Sequence, residues 1–152
     1  MTMTENYKIL AKFIKDLSSE TPNTETYLFV KDNIAKYQLG IDITSKALKN
    51  QMVEINTKLK FEDKEGNEKK SYFEIIYATI IRVNDKIKEK KELEKIILCD
   101  VQIEIYSDLE KSLLDLLHNS GYPGIKFEKK IDFEKLYNQK FLKSYLKKNF
   151  FN

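Results

Sequence analysis

Residues 15–23 read Lys15-Asp16-Leu17-Ser18-Ser19-Glu20-Thr21-Pro22-Asn23, and the conformation they take decides the fold. On a helix, Asp16 and Glu20 sit four apart on one face, and Leu10, Phe13, Ile14 and Leu17 continue that spacing upstream. Pro22 disfavours helical geometry at the residue before it, so such a helix ends at Thr21. On a strand, Asp16, Ser18 and Glu20 point one way while Leu17 and Ser19 point the other. Periodicity alone tolerates both and leans to the helix.

The next segments are less ambiguous. In 36–44, Tyr37, Leu39, Ile41 and Ile43 alternate with Lys36, Gln38, Gly40, Asp42 and Thr44. In 53–61, Val53, Ile55, Leu59 and Phe61 alternate with Glu54, Asn56, Lys58 and Lys60, and Thr57 keeps the inward phase. Both patterns predict strands with one wet face. The polar run 63–70 predicts a turn, and 71–83 a further strand, so the three form a meander to which residues 7–20 can add a fourth. The segment 71–83 is apolar on both sides: Phe73, Ile75, Tyr77, Ile81 and Val83 form one row, Tyr72, Ile76, Ala78 and Ile80 the other, broken by Glu74 and Arg82. A strand apolar on both faces needs cover on both. That cover is a helix layer with either a second subunit or an apolar ligand on the other side, unless the strand is simply central in the core.

The period then changes. Ser107-Asp108-Leu109-Glu110 has the form of a capping box with Ser107 as N-cap. Leu109, Leu113, Leu114, Leu116 and Leu117 give a broad apolar helix face, which Asn119-Ser120-Gly121-Tyr122-Pro123 stops. A final helix is predicted from near Asp132, with Phe133, Leu136, Tyr137, Phe141 and Tyr145 on one face and Lys140, Lys143 and Lys147 on another. Residues 91–98 read as helical and 101–106 as extended.

Composition excludes several functions. The chain has 152 residues, one histidine, one cysteine and four scattered glycines. That length suits a single domain, 1–152, with 138–152 as a mobile C-terminal helical tail. One cysteine forbids an internal disulfide and fits a reducing, cytoplasmic setting. No run approaches the ~18 apolar residues of a membrane span, and the N-terminus lacks a signal-peptide core. A single histidine, His118 at a helix end, and no cysteine cluster leave a transition metal almost without ligands, and no glycine-rich loop cradles a phosphate. On an extended strand Asp16 and Glu20 lie roughly 13 Å apart, at about 3.3 Å per residue. Paired glycosidase carboxylates need roughly 5–9.5 Å. No catalytic residue, metal or cofactor is expected, and the protein reads as no enzyme.

The N-terminal Phe13-Ile14-Lys15-Asp16-Leu17-Ser18-Ser19-Glu20-Thr21-Pro22-Asn23 resembles the first-strand signature of the bacterial protein-export chaperone SecB family, K-D-[IL]-S-x-E-x-P-[NS]. Near the other end, Tyr122, Pro123, Ile131, Asp132, Phe133, Leu136 and Tyr137 match a second family motif, and the two bracket nearly the whole chain in order. The resemblance implies an α+β fold, a four-stranded antiparallel sheet followed by C-terminal helices packed on one face. It makes residues 15–23 the end of the first strand. It also implies that Asp16, Glu20, Tyr72 and Glu74 belong to an exposed surface that holds the motor ATPase SecA.

The expected protein is an ATP-independent holdase that binds unfolded preproteins as a homotetramer, a dimer of dimers, and delivers them to SecA. Its client groove is expected to include Ile76, Ala78 and Ile80. Two departures from the family pattern make a SecB-like chaperone with a different partner, such as a toxin–antitoxin system, the alternative reading. Residues 100–111 lack the family's cysteine-proline loop, and the sequence pI is 8.7 where the family is typically acidic. The rival class is a basic nucleic-acid module built on Lys140–Lys148 with Tyr145, Phe150 and Phe151, which would lose affinity steeply with salt. No nucleic-acid partner and no direct membrane insertion are expected.

Overall fold

The computed structural model describes residues 5–139, and residues 15–20 are strand. Strand β1, Tyr7–Glu20, stops just ahead of Thr21 and Pro22. It pairs antiparallel with β4, Tyr72–Val83, in a four-stranded sheet of order β1-β4-β3-β2. The helix-like spacing of Leu10, Phe13, Ile14 and Leu17 has a specific cause. The register of β1 on β4 shifts between Ile9 and Ala11 and again between Ile14 and Asp16. Each shift inserts an extra residue, Leu10 and then Lys15, and resets the alternation of faces. Twice-interrupted alternation imitates a period between 3 and 4. These four side chains therefore share no buried face: Leu10 is 38% exposed, and Phe13, Ile14 and Leu17 are each 45% exposed.

Between β1 and β2 the chain makes a helix that the sequence reading did not foresee: α1, Thr24–Asn33. The Asn23 side chain caps it, accepting from the Thr26 N–H at 2.8 Å. A 3-10 turn at Ile34–Lys36 leads into β2, Gln38–Ala47, which forms a hairpin with β3, Met52–Glu62. The polar stretch 45–51 is thus the end of β2 and the hairpin itself, with Asn50 and Gln51 both left-handed, at φ 59° and 62°. The alternation in β2, β3 and β4 falls as its spacing predicts. Ile43, Val53, Ile55, Leu59, Phe61, Phe73, Ile75, Tyr77, Ile81 and Val83 are all buried on the inner face.

Helices cover that inner face. The stretch α2 (Lys90–Lys95), a π-helical turn (Ile96–Asp100) and α3 (Val101–Asn119) runs without a break, which corrects two expectations. Residues 101–106 are helical, not extended, and Ser107 lies inside α3 rather than capping it. The buried positions Val101, Gln102, Ile105, Tyr106, Leu109, Leu113 and Leu117 follow one helical stripe. Gln102 disguised it, being polar yet wholly buried. Its side chain accepts from the Thr57 hydroxyl at 2.9 Å and donates to the Ile97 carbonyl at 3.1 Å, so neither group is left unmatched. Gly121 ends α3 with φ at +108°. The expected last helix begins over 133–139, where the Asp132 side chain accepts from the Lys135 N–H at 3.1 Å. Lys140, Phe141, Lys143, Tyr145, Lys147, Lys148, Phe150 and Phe151 lie outside the described residues.

Candidate functional site

The pairing of β1 with β4 fixes where the expected partner surface lies. Asp16, Ser18 and Glu20 stand opposite Ile76, Glu74 and Tyr72, and directly opposed residues of an antiparallel pair share a face. Asp16, Glu20, Tyr72 and Glu74 therefore come together on the outer face of the sheet, away from the helices. The Ser18 hydroxyl donates to the Asp16 carboxylate at 3.0 Å, and Tyr72 is 51% exposed with the Lys70 ammonium 5.9 Å above its ring. The patch is not uniformly negative. Glu74 lies 3.9 Å from the Lys58 ammonium and 3.8 Å from that of Lys60, both on β3.

Ile76, Ala78 and Ile80 continue along the same outer face. Ile76 and Ile80 are half-buried, whereas Ala78 is completely covered. Lys15, the extra residue of the second bulge, helps to cover it. Its ammonium reaches across β4 to Glu54 at 2.6 Å and Asn56 at 3.4 Å, the register partners of Ile80 and Ala78. This holds the Glu54 carboxyl below its usual range, first through the hydrogen bond from Lys15 and then through that from Asn56. The depression beside Ile76 is otherwise lined by Lys15, Asp42, Thr44, Asn56 and Lys58, so this part of the face is wet and charged.

The large apolar concavity lies elsewhere. A cavity of about 690 Å³ opens between the end of α1 with its 3-10 turn, the rim of the β2–β3 pair, and the loop that follows α3. Its walls are Ile34, Tyr37, Leu39, Phe61, Tyr122 and Phe127. The rings form a connected set: Tyr37 to Phe61 at 5.4 Å, Phe61 to Phe127 at 5.6 Å, and Phe73 to Tyr122 at 5.6 Å beneath. Tyr37 is fixed from behind, its hydroxyl accepting from the Ser71 N–H at 3.0 Å, and burial pushes its phenol up, so it stays neutral. The loop is placed by Tyr27 of α1, whose hydroxyl donates to the Gly121 carbonyl at 2.8 Å and whose ring packs on Tyr122 at 5.4 Å.

Such a site offers shape and apolar area but no reactive group. Each aromatic side chain that an occupant buries there is worth a few kcal/mol, at roughly 25 cal/mol per Å². Sequence reasoning missed this site. The available signal was the recurrence of aromatics at the ends of elements, Tyr37, Phe61, Tyr122 and Phe127. Among the described residues no group of three or more His, Cys, Asp or Glu side chains is placed to hold a metal, and no helix is long and apolar enough to cross a membrane.

A family model described as "Preprotein translocase subunit SecB" matches residues 2–144. A protein of Pelagibacter ubique named "Putative protein-export protein SecB" is 62% identical over 138 residues, 91% of this chain and 99% of that one. The "Protein-export protein SecB" of Parvibaculum lavamentivorans is 26% identical, covering 88% of this chain and 77% of its own. Among solved structures, the SecB-like chaperone of Mycobacterium tuberculosis, in complex with a ChAD peptide from an antitoxin, superposes with a TM-score of 0.58. That match covers 82% of this chain and 91% of the other, and at 12% identity it shows the shared fold.

Proposed function

The chain belongs to the SecB family and is a preprotein-export chaperone, and from that premise we propose that it holds unfolded preproteins, without ATP, in the cavity walled by Tyr37, Phe61 and Phe127. The observation that carries this reading is the cavity itself, about 690 Å³ with a mostly apolar wall rich in aromatic rings. An extended client inserts side chains there with little demand on sequence, because apolar contact is not directional. Ile76 and Ile80 supply a second, shallower apolar contact on the open sheet face.

Handover goes to the SecA ATPase in the cytoplasm, through Asp16, Glu20, Tyr72 and Glu74. These lie on the face left free by the helices, so a client anchored in the cavity and the motor need not compete for the same side chains.

The working form is a homo-oligomer, a tetramer built as a dimer of dimers. Supporting this, edge strand β1 leaves Leu10, Phe13, Ile14 and Leu17 exposed, α1 exposes Leu28 at 54% and α3 exposes Ile103 at 55%. An uncovered edge of that kind is a template for pairing with another chain.

The test is suppression of aggregation of a denatured model protein, with mass measured by light scattering in the same sample. The native chain should suppress aggregation as an oligomer, and Phe127→Asp should lose most of that activity with mass and melting temperature kept. A folded Phe127→Asp that holds clients normally removes the cavity from this role, and a stable monomer at micromolar concentration refutes the assembly.

A further inference from the structure

From the charge around the cavity we infer a specificity: this chaperone prefers client segments in which an aromatic or aliphatic anchor is flanked by acidic residues. The inference rests on the cavity being the client site. Among the described residues, the charged side chains that line it are Lys31 and Lys126, both exposed, and no carboxylate lines it. The acids next to them in the chain, Asp32 and Glu128 by one and two positions, are not part of the wall.

The two lysines come from independent elements. Lys31 lies in the last turn of α1, one turn beyond Tyr27, and Lys126 lies in the loop after α3. Neither joins an ion pair within the described residues. By contrast, the neighbouring Lys36 is held 3.9 Å from Glu65. The cavity therefore presents an apolar floor with two unneutralised ammonium groups at its mouth. The chain as a whole carries a formal charge of +3, so the background field reinforces that sign rather than opposing it.

A client whose anchor enters between Tyr37 and Phe127 brings its neighbouring residues past these lysines. Carboxylates there gain attraction, and lysines or arginines there meet repulsion, which is discrimination by a like-charge barrier as much as by a favourable contact. Ion pairs at exposed positions are individually weak and screened by salt, so the preference should be modest and salt-sensitive.

The experiment uses the full-length protein and two fluorescent peptides sharing one Phe-Leu-Phe centre, one flanked by Asp and Glu, the other by Lys and Arg. Fluorescence anisotropy at low salt should show the acidic-flanked peptide binding about three- to tenfold more tightly, with the gap closing at high salt. The double variant Lys31→Glu, Lys126→Glu, both surface changes, should reverse the order while the oligomer mass stays the same. Equal affinity for the two peptides, or an order that the double variant leaves unchanged, overturns the charge preference but leaves the cavity as the client site. Failure of both peptides to bind, or binding that Phe127→Asp does not weaken, overturns the cavity reading and the preference with it.

Discussion

The Tyr27 hydroxyl donates to the Gly121 carbonyl over 2.8 Å, and the Tyr27 ring fills the space that a side chain on Gly121 would need. An added Cβ at Gly121 would lie 2.6 Å from Tyr27 Cε1, on a backbone at φ +108° that disfavours any L side chain. Gly121→Ala should therefore cost about 1–3 kcal/mol of stability, and Tyr27→Phe about 1 kcal/mol for the lost hydrogen bond. Thermal unfolding measures both. A melting temperature for Gly121→Ala equal to that of the native chain would mean that the loop is free to move away from α1.

A second prediction concerns Thr57, Gln102 and the Ile97 carbonyl. Gln102→Leu strands a buried hydroxyl and a buried carbonyl and should cost about 1–3 kcal/mol. Thr57→Val with Gln102→Leu should cost less than the sum of the single changes, because the hydroxyl in need of a partner has gone. Strict additivity in urea unfolding would show that the two side chains do not act as a unit.

The Lys15–Glu54 contact predicts a dependence on acid. The folded-state value of Glu54 lies below its ordinary 4.5. Its contribution is therefore complete above the unfolded-state value and disappears as pH falls through the depressed one. Lys15→Met should thus lower stability near pH 7 by at most about 1 kcal/mol, given the exposure of the pair, and change nothing near pH 2. A deficit that persists undiminished in acid would assign the loss to packing of the Lys15 stem instead.

On the open face, Ile76→Asp and Ile80→Asp should weaken the holding of aggregation-prone clients, since a carboxylate placed in an apolar contact must give up its hydration. Normal suppression of aggregation by both folded variants confines client contact to the Tyr37–Phe127 cavity.

For the motor, reversing Asp16, Glu20 and Glu74 together to Lys should abolish SecA binding in calorimetry at low salt, with client holding and oligomer mass intact. Because Lys58 and Lys60 crowd Glu74, Lys58→Gln with Lys60→Gln should do the opposite and tighten binding severalfold. Unchanged affinity in the charge-reversed variant leaves the patch without that role.

The sequence was legible where a single period governed. Strands β2 and β3 alternate cleanly because one face of each is turned to the core and the other meets water, and β4 keeps its inner row while its outer row is partly apolar. In β1 the two bulges broke the alternation, so only a motif resemblance identified it as a strand. Helix α1 has weak amphipathicity, with Thr26 buried and Leu28 turned outward, so no apolar stripe announced it. Gln102 hid the first two turns of α3 for a similar reason. The cavity was invisible because it belongs to no single element, and long-range contacts such as Tyr27 to Gly121 and Phe61 to Phe127 bring its walls together.

The two edges of the sheet differ, and that difference sets a limit to growth. The β1 edge exposes large apolar side chains among its charged ones, with Phe13, Ile14 and Leu17 each 45% exposed, whereas β2 on the opposite side exposes mainly polar side chains, Gln38, Asp42, Thr44 and Lys46 among them. A two-fold pairing of β1 with the β1 of a second copy uses both sticky margins in one event. The doubled sheet then ends on β2 at either side, where polar and charged groups discourage another strand from joining. In the assembly proposed above, stacking edge to edge would stop at two copies, so a protein made to handle aggregating chains would not itself become the seed of a fibre.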